Sequence, residues 1–341
     1  MNSSLAQILV TQNEFVTLMG IYTCVDMVFS VMGIVTNAVN TKTFLAMGAD
    51  DGVTVSFLYL SSSELMCCLA ALGQKISMAF WVTELATDYK TWFFINPYVA
   101  NAFFGNIRAC LFEIPILITT YLSLAKCMCV VKPLSFKSMF SVSRTRRIMV
   151  GICVFSIVSY VPIFATMGTT QELDVNINRT RHMIWFSSNR DLVKTVVWTS
   201  RDTLSAIASE VVVAVCLMMM AQALSKSITL RGQLKNGTFS HKMDQHNSSL
   251  ECDGKLSGKE LQIIKQVVLI SVVFIAGNTP KIAVFLVVAL VPDFTPVGRY
   301  RNLYDVTIKG RELSELVISA VNIFIYYKFN SKFRQCCHAI C

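Results

Sequence analysis

Apolar residues fall along this chain in seven blocks, each long enough to cross a hydrocarbon layer of about 30 Å, which takes roughly 20 helical residues. The blocks cover residues 21–47, 53–82, 97–131, 148–167, 199–224, 261–291 and 305–329. Polar stretches separate them. The pattern predicts an all-α membrane protein: an N-terminal segment over 1–20, a seven-transmembrane helix bundle over 21–329 with a longer polar loop at 225–260, and an amphipathic eighth helix with a tail over 330–341. One bundle uses almost all of the sequence, with no internal repeat and no room for a second folded domain.

Composition agrees with that pattern. Hydrophobic residues make up 54% and charged residues only 15%, where soluble domains carry charge on about a quarter of positions. Basic residues then suggest an orientation. Lys132, Lys137, Arg144, Arg146 and Arg147 flank the third and fourth blocks, Lys226, Arg231, Lys235, Lys242, Lys255 and Lys259 lie between the fifth and sixth, and Lys328, Lys332 and Arg334 follow the seventh. By the positive-inside rule these segments face the cytoplasm, and the N-terminus is extracellular. Asn2-Ser-Ser and Asn178-Arg-Thr fit the glycosylation sequon on the outer side, although Asn236 and Asn247 fit it equally well on the inner side. The first block is expected to serve as an uncleaved anchor. None of the twelve cysteines falls in an outer loop, so no disulfide framework is expected there.

The charges inside the apolar blocks carry the candidate chemistry. Glu64 sits mid-block, where a charged side chain costs about 2.5–3.5 kcal/mol on insertion scales, so it is expected to be protonated and functional. Lys75 follows it by eleven residues, on the same helical face and about 16 Å nearer one end. Arg108 and Lys126 are eighteen residues apart, five turns, and share a face of the third block. Lys281 lies in the sixth block, and Glu312 and Glu315 in the outer half of the seventh. Charge is costly against lipid, so Lys75, Arg108, Lys281 and Glu312 are expected to converge on a basic ligand-binding cavity. The competing arrangement has Arg108 and Lys75 paired with Glu312 and Glu315 as struts between helices. Glu113 and Glu210 are assigned to packing.

Short motifs recur at telling intervals. Asn322 and Tyr326 stand four apart, and after six intervening residues comes Phe333-Arg334, followed by Cys336-Cys337. Phe274-Ile-Ala-Gly-Asn278-Thr-Pro280 lies in the sixth block, Gly33-Ile-Val-Thr-Asn37 in the first, Leu60-Ser-Ser-Ser-Glu64 in the second, and Lys126 precedes Pro133-Leu134 by the third. In order and spacing the chain resembles a rhodopsin-like (class A) G protein-coupled receptor, and its relaxed motifs resemble the divergent chemosensory branches found in invertebrates. It departs from the family's residues at many points. Ile323 replaces the proline of NPxxY, Glu64 an aspartate, Asn278 a tryptophan, and Ala125-Lys126-Cys127 the DRY triplet. Asn101 stands where most members have the cysteine that ties the third helix to an outer loop.

The resemblance implies a plasma-membrane receptor that senses an extracellular small acidic or polar chemical, or a peptide, and signals to a heterotrimeric G protein. It assigns ligand anchoring to Arg108, and an activation switch to Asn37, Glu64, Phe274, Asn278, Pro280, Ser319, Asn322 and Tyr326. G protein coupling falls to Lys126, Pro133 and Leu134, and palmitoylation to Cys336 and Cys337, whose alternative is two buried thiols. Glu64 could equally be a neutral packing group hydrogen-bonded to Asn322 and Asn37. The four histidines are scattered, and no nucleophile constellation or phosphate-cradling loop appears, so no enzyme activity, cofactor, metal or nucleic-acid partner is expected. The competing class is a seven-helix transporter or ligand-gated channel, with the intramembrane charges along its path.

Overall fold

A capping box opens the first helix: the Thr11 hydroxyl accepts from the Glu14 amide at 3.3 Å and the Glu14 carboxylate accepts from the Thr11 amide at 2.8 Å. The computed structural model describes residues 10–87, 89–131, 140–174, 177–237, 258–295 and 298–340, and their side chains apart from those of 130–131, 223–237, 258–267 and 340. That cap starts α1 (Gln12–Met47) nine residues before the apolar block does. Capping satisfies backbone donors at the helix start regardless of side-chain polarity, so hydropathy alone sets the boundary too late. Asp51 caps α2 (Gly52–Ala86) in the same way, accepting from the amides of Val53 and Thr54 at 2.9 Å.

The remaining helices are α3 (Pro97–Val131), α4 (Val142–Ala165), α5 (Arg190–Trp198), α6 (Ala206–Gly237), α7 (Gly258–Leu290), α8 (Arg301–Phe329) and α9 (Ser331–Ile340). A π-helical segment, Thr199–Ser205, joins α5 to α6 into one continuous helix. Among the described residues six helices are long and apolar enough to cross a membrane: α1, α2, α3, α4, the joined α5–α6 and α7. The protein is therefore an all-α, multi-pass membrane protein. The seventh apolar block forms α8, which is long enough at 29 residues but carries too much charge in its first half to meet that criterion.

Burial along α1 runs opposite to that of a soluble helix. Asp26, Ser30, Asn37, Asn40 and Thr43 face inward, while Val28, Val31, Val35 and Leu45 are exposed. The inward residues recur every three or four positions, which keeps one polar seam against the neighbouring helices. Gly33 lets α2 approach closely, because a Cβ there would meet the Cys68 sulfur at 2.6 Å. α1 packs on α2 and α8, α2 on α3, α3 on α6, and α7 on α8. An aromatic cluster of Phe44, Phe57, Tyr326 and Phe333, with ring centroids 5.0–5.7 Å apart, fastens α9 beneath α1, α2 and α8. The Lys332 ammonium caps the end of α1 at the Met47 carbonyl, 2.8 Å away.

At the opposite end lies an antiparallel hairpin, β1 (Met167–Asp174) and β2 (Arg179–Phe186), in full register from Met167↔Phe186 to Asp174↔Arg179. Hydropathy did not foresee it, and read Met167 as the last residue of a span. β2 is tied to the α2–α3 connection: the His182 amide donates to the Phe94 carbonyl at 2.9 Å and the Asn96 amide to the His182 carbonyl at 3.2 Å. Arg181, buried to 1% exposure, completes the attachment with contacts to Glu84 at 3.2 Å, Asp174 at 3.0 Å and Thr91 at 3.1 Å. Among the described residues every cysteine is free, so this ion cluster, rather than a disulfide, anchors the hairpin. Arg181→Met should leave Glu84 and Asp174 without their cation, a loss of about 3–5 kcal/mol for a buried pair. Amide exchange over 167–186 should accelerate while α1 and α3 stay protected. Unchanged exchange would mean that the backbone bridge holds the hairpin alone.

Candidate functional site

The charges buried between the helices form a network at the hairpin end of the bundle. On α2, the Lys75 ammonium lies 2.5 Å from Asp26 of α1 and 2.7 Å from Glu312 of α8. On α3, Arg108 spreads its guanidinium over both α8 carboxylates, with Nη2 2.9 Å from Glu312 and Nη1 2.6 Å from Glu315. Lys309 reaches Glu312 at 2.8 Å, and Arg311 reaches Glu315 at 3.1 Å. Glu312 and Glu315 are three residues apart and so lie on one helical face, where a single guanidinium can span both. Four helices are thus cross-linked by charge in a region from which water is largely excluded.

A second polar layer lies closer to α9. The Asn37 amide donates to the Ser319 hydroxyl at 2.9 Å, and the Asn322 amide donates to one Glu64 oxygen, Oε1, at 2.7 Å. The Cys68 sulfur and the Ser319 hydroxyl are 3.5 Å apart. Asn37 therefore reaches α8 rather than Glu64. The second Glu64 oxygen, Oε2, has no hydrogen-bond partner among the described residues, and neither has Arg108 Nε.

Between the two layers is a cavity of ≈ 70 Å³. Its titratable lining consists of Glu64, Arg108 and Glu315 with Cys67 and Cys68, and its remaining wall includes Phe112, Ile116, Phe274, Asn278, Leu316 and Ser319. Lys75, Arg108, Lys281 and Glu312 were expected to share a basic cavity; Lys75, Arg108 and Glu312 meet in the ion-pair network, which lies beside this cavity. Of these only Arg108 lines it. A helical period gives the face on which a side chain lies, but not which neighbour captures it: Lys75 bridges Asp26 of α1 and Glu312 of α8, and Lys281 pairs 3.2 Å away with Asp202.

Asp202 belongs to the π-helical segment, whose wider turns re-aim several side chains at once. Arg201 donates to the Cys110 carbonyl at 3.3 Å and stacks on Tyr160, with 4.8 Å to the ring centroid. The Ser205 hydroxyl donates to Glu113. Glu210, on α6, accepts from Thr279 of α7 at 3.4 Å. Lys281 follows Pro280, which cannot donate to the carbonyl one turn back and so weakens α7 there.

Other sequence-assigned residues are dispersed. Phe274 packs with Ile116 and Val213. Tyr326 lies in the aromatic cluster, and Lys126 is buried in the half of α3 nearer α9. Asn178 is exposed at the hairpin turn with φ 50°, a left-handed conformation that asparagine tolerates. Both tail cysteines lie on α9, Cys337 buried in the core and Cys336 half-buried against it. Asn2, Pro133 and Leu134 lie outside the described residues. Sequence reasoning passed over Asp26, Asp202, Lys309 and Arg311. Asp26 was findable as the lone acid of the first apolar block, eleven residues from Asn37 and so on its face. No protein-family model matches the chain, and no curated protein matches it.

Proposed function

We propose that the chain is a rhodopsin-like G protein-coupled receptor of the plasma membrane, with its N-terminus extracellular. The observation that carries this reading is the polar layer of Asn37, Glu64, Ser319 and Asn322 beneath a cavity walled by Phe274 and Asn278. These are the positions at which the sequence resembles the family's switch. In this reading α8 is the seventh span. At 1.5 Å per residue its 29 residues run about 43 Å, enough for a hydrocarbon core of about 30 Å. Its buried carboxylates are held by Lys75 of α2 and Arg108 of α3 rather than facing lipid, and α9 is the amphipathic eighth helix.

Signalling would be a shift between two states. In the state described, Lys281 and Asp202 tie α7 to the π-helical segment, and Ser123 of α3 lies 3.0 Å from Ser271 of α7. A ligand that draws α7 away from these contacts would swing it about Pro280 and expose Lys126 to a heterotrimeric G protein, with Pro133 and Leu134 docking beside it. Purified receptor in nanodiscs should speed GDP–GTP exchange on at least one Gα subunit. Lys281→Met, which releases α7, should increase that exchange, and Lys126→Ala should abolish it. No exchange on any Gα with either wild type or Lys281→Met, together with ion flux in reconstituted vesicles, would replace the receptor by a transporter or channel.

A further inference from the structure

We infer that the cavity between the two polar layers is the site of a small uncharged ligand that carries a hydrogen-bonding head, such as an alcohol or a primary amide, on a short apolar body. This rests on the receptor reading only for its signalling consequence, since the site itself is built from the geometry. Three observations converge on it.

The first is the state of Arg108. A carboxylate ligand would need the two-pronged face of the guanidinium, but Nη1 and Nη2 are already held by Glu315 and Glu312 at 2.6 and 2.9 Å. An incoming anion would have to displace a buried carboxylate and would face Glu315 and Glu64 on the same wall. The second is a pair of unsatisfied atoms. Arg108 Nε and Glu64 Oε2 belong to side chains at least nine-tenths buried, both line the cavity, and neither has a partner among the described residues. Buried polar atoms without partners are unfavourable, and a ligand that supplies both partners relieves them. A hydroxyl or a carboxamide offers an oxygen to Nε and an O–H or N–H to the carboxyl group.

The third is the rest of the wall. Phe112, Ile116, Phe274, Leu316 and Ile318 present hydrocarbon, which suits an alkyl chain and not a peptide or a sugar. A cavity of ≈ 70 Å³ limits that chain to a few carbons. For a cation, Glu315 on the wall is already held by Arg108 and Arg311 at 2.6 and 3.1 Å, which leaves Glu64 set against the Arg108 charge, so a neutral head fits better.

Four probes of matched size separate the classes: 1-butanol, butyramide, butyrate and butylamine. Binding to the intact chain in nanodiscs would be read by saturation-transfer NMR, with empty nanodiscs as the control for partitioning into lipid. Butanol and butyramide should bind, with affinity falling about tenfold or more in Ile116→Phe and in Leu316→Phe, either of which fills the cavity. Glu64→Gln puts an NH2 group where Oε2 would accept from the ligand and should weaken both neutral probes by about fivefold, a value set by the loss of one hydrogen bond. Tighter binding of butyrate, or binding of butylamine or sodium that Glu64→Gln abolishes, would overturn the neutral class. Alcohol binding untouched by both cavity-filling variants would reduce the signal to lipid partitioning and overturn the site. Because the readout is binding rather than exchange on Gα, a failure of the receptor reading leaves this result intact, and the converse holds.

Discussion

Arg108→Ala should destabilise the bundle by about 3–5 kcal/mol, the cost of breaking a buried charge pair from one side. Among the described residues Glu315 would keep only Arg311, 3.1 Å away, whereas Glu312 would keep Lys75 and Lys309 at 2.7 and 2.8 Å. The carboxylate that suffers most is therefore Glu315. Arg108→Ala combined with Glu315→Gln should recover more folded protein than Arg108→Ala combined with Glu312→Gln. Thermal unfolding of the purified variants, with the yield of monodisperse protein in detergent, would rank them. If Arg108→Ala alone unfolds with wild type, the guanidinium is not a strut and the network contributes little. The ranking of the two double variants also separates loss of stability from loss of ligand response, because a residue that acts only on a ligand is not rescued by neutralising its partner.

A comparable loss is expected from Lys75→Met, and here the asymmetry between partners is the test. Asp26 is fully buried, and its ion pair among the described residues is with Lys75. Removing the lysine strands a carboxylate at about 3–5 kcal/mol. Asp26→Asn leaves Lys75 on Glu312 at 2.7 Å, so that change should cost far less. Asp26→Asn added to Lys75→Met should restore most of the folded yield. Equal losses from the two single variants would mean that Glu312, with Lys309 and Arg108 already beside it, cannot hold Lys75 unaided.

Both tests probe contacts that sequence reasoning reached only in part. The struts from Lys75 and Arg108 to Glu312 and Glu315 stood as one of two arrangements because helical spacing shows which face each charge occupies. Asp26 was passed over although it stands alone in an apolar block. Its role became visible only when α1 and α2 were seen packed closely at Gly33 and Cys68. Lys281 was expected beside Lys75, Arg108 and Glu312, and its ion pair is with Asp202. The π-helical segment that carries Asp202 toward it has no apolar period to announce it.

What the sequence by itself determined is that the chain is an all-α, multi-pass membrane protein, and which face of several of its apolar helices turns inward. A run of some 20 apolar residues has few alternatives in a bilayer, where backbone groups must be paired within the segment. The α3 helix accordingly has the bounds its apolar block predicts, 97–131. Glu64, Asn37, Ser319 and Asn322 were legible as inward positions by the same logic, since polar groups avoid lipid. The tertiary structure alone decided which of those groups meet. Asn37 and Ser319 are 282 residues apart and Lys75 and Glu312 237, and their pairing depends on how each helix is rotated and which neighbour it packs against. Local periodicity carries no information about that rotation. The hairpin was decided there too: neither strand alternates apolar with polar residues along its length, and the pair is docked through Phe94, Asn96 and Glu84, which other parts of the chain bring to His182 and Arg181.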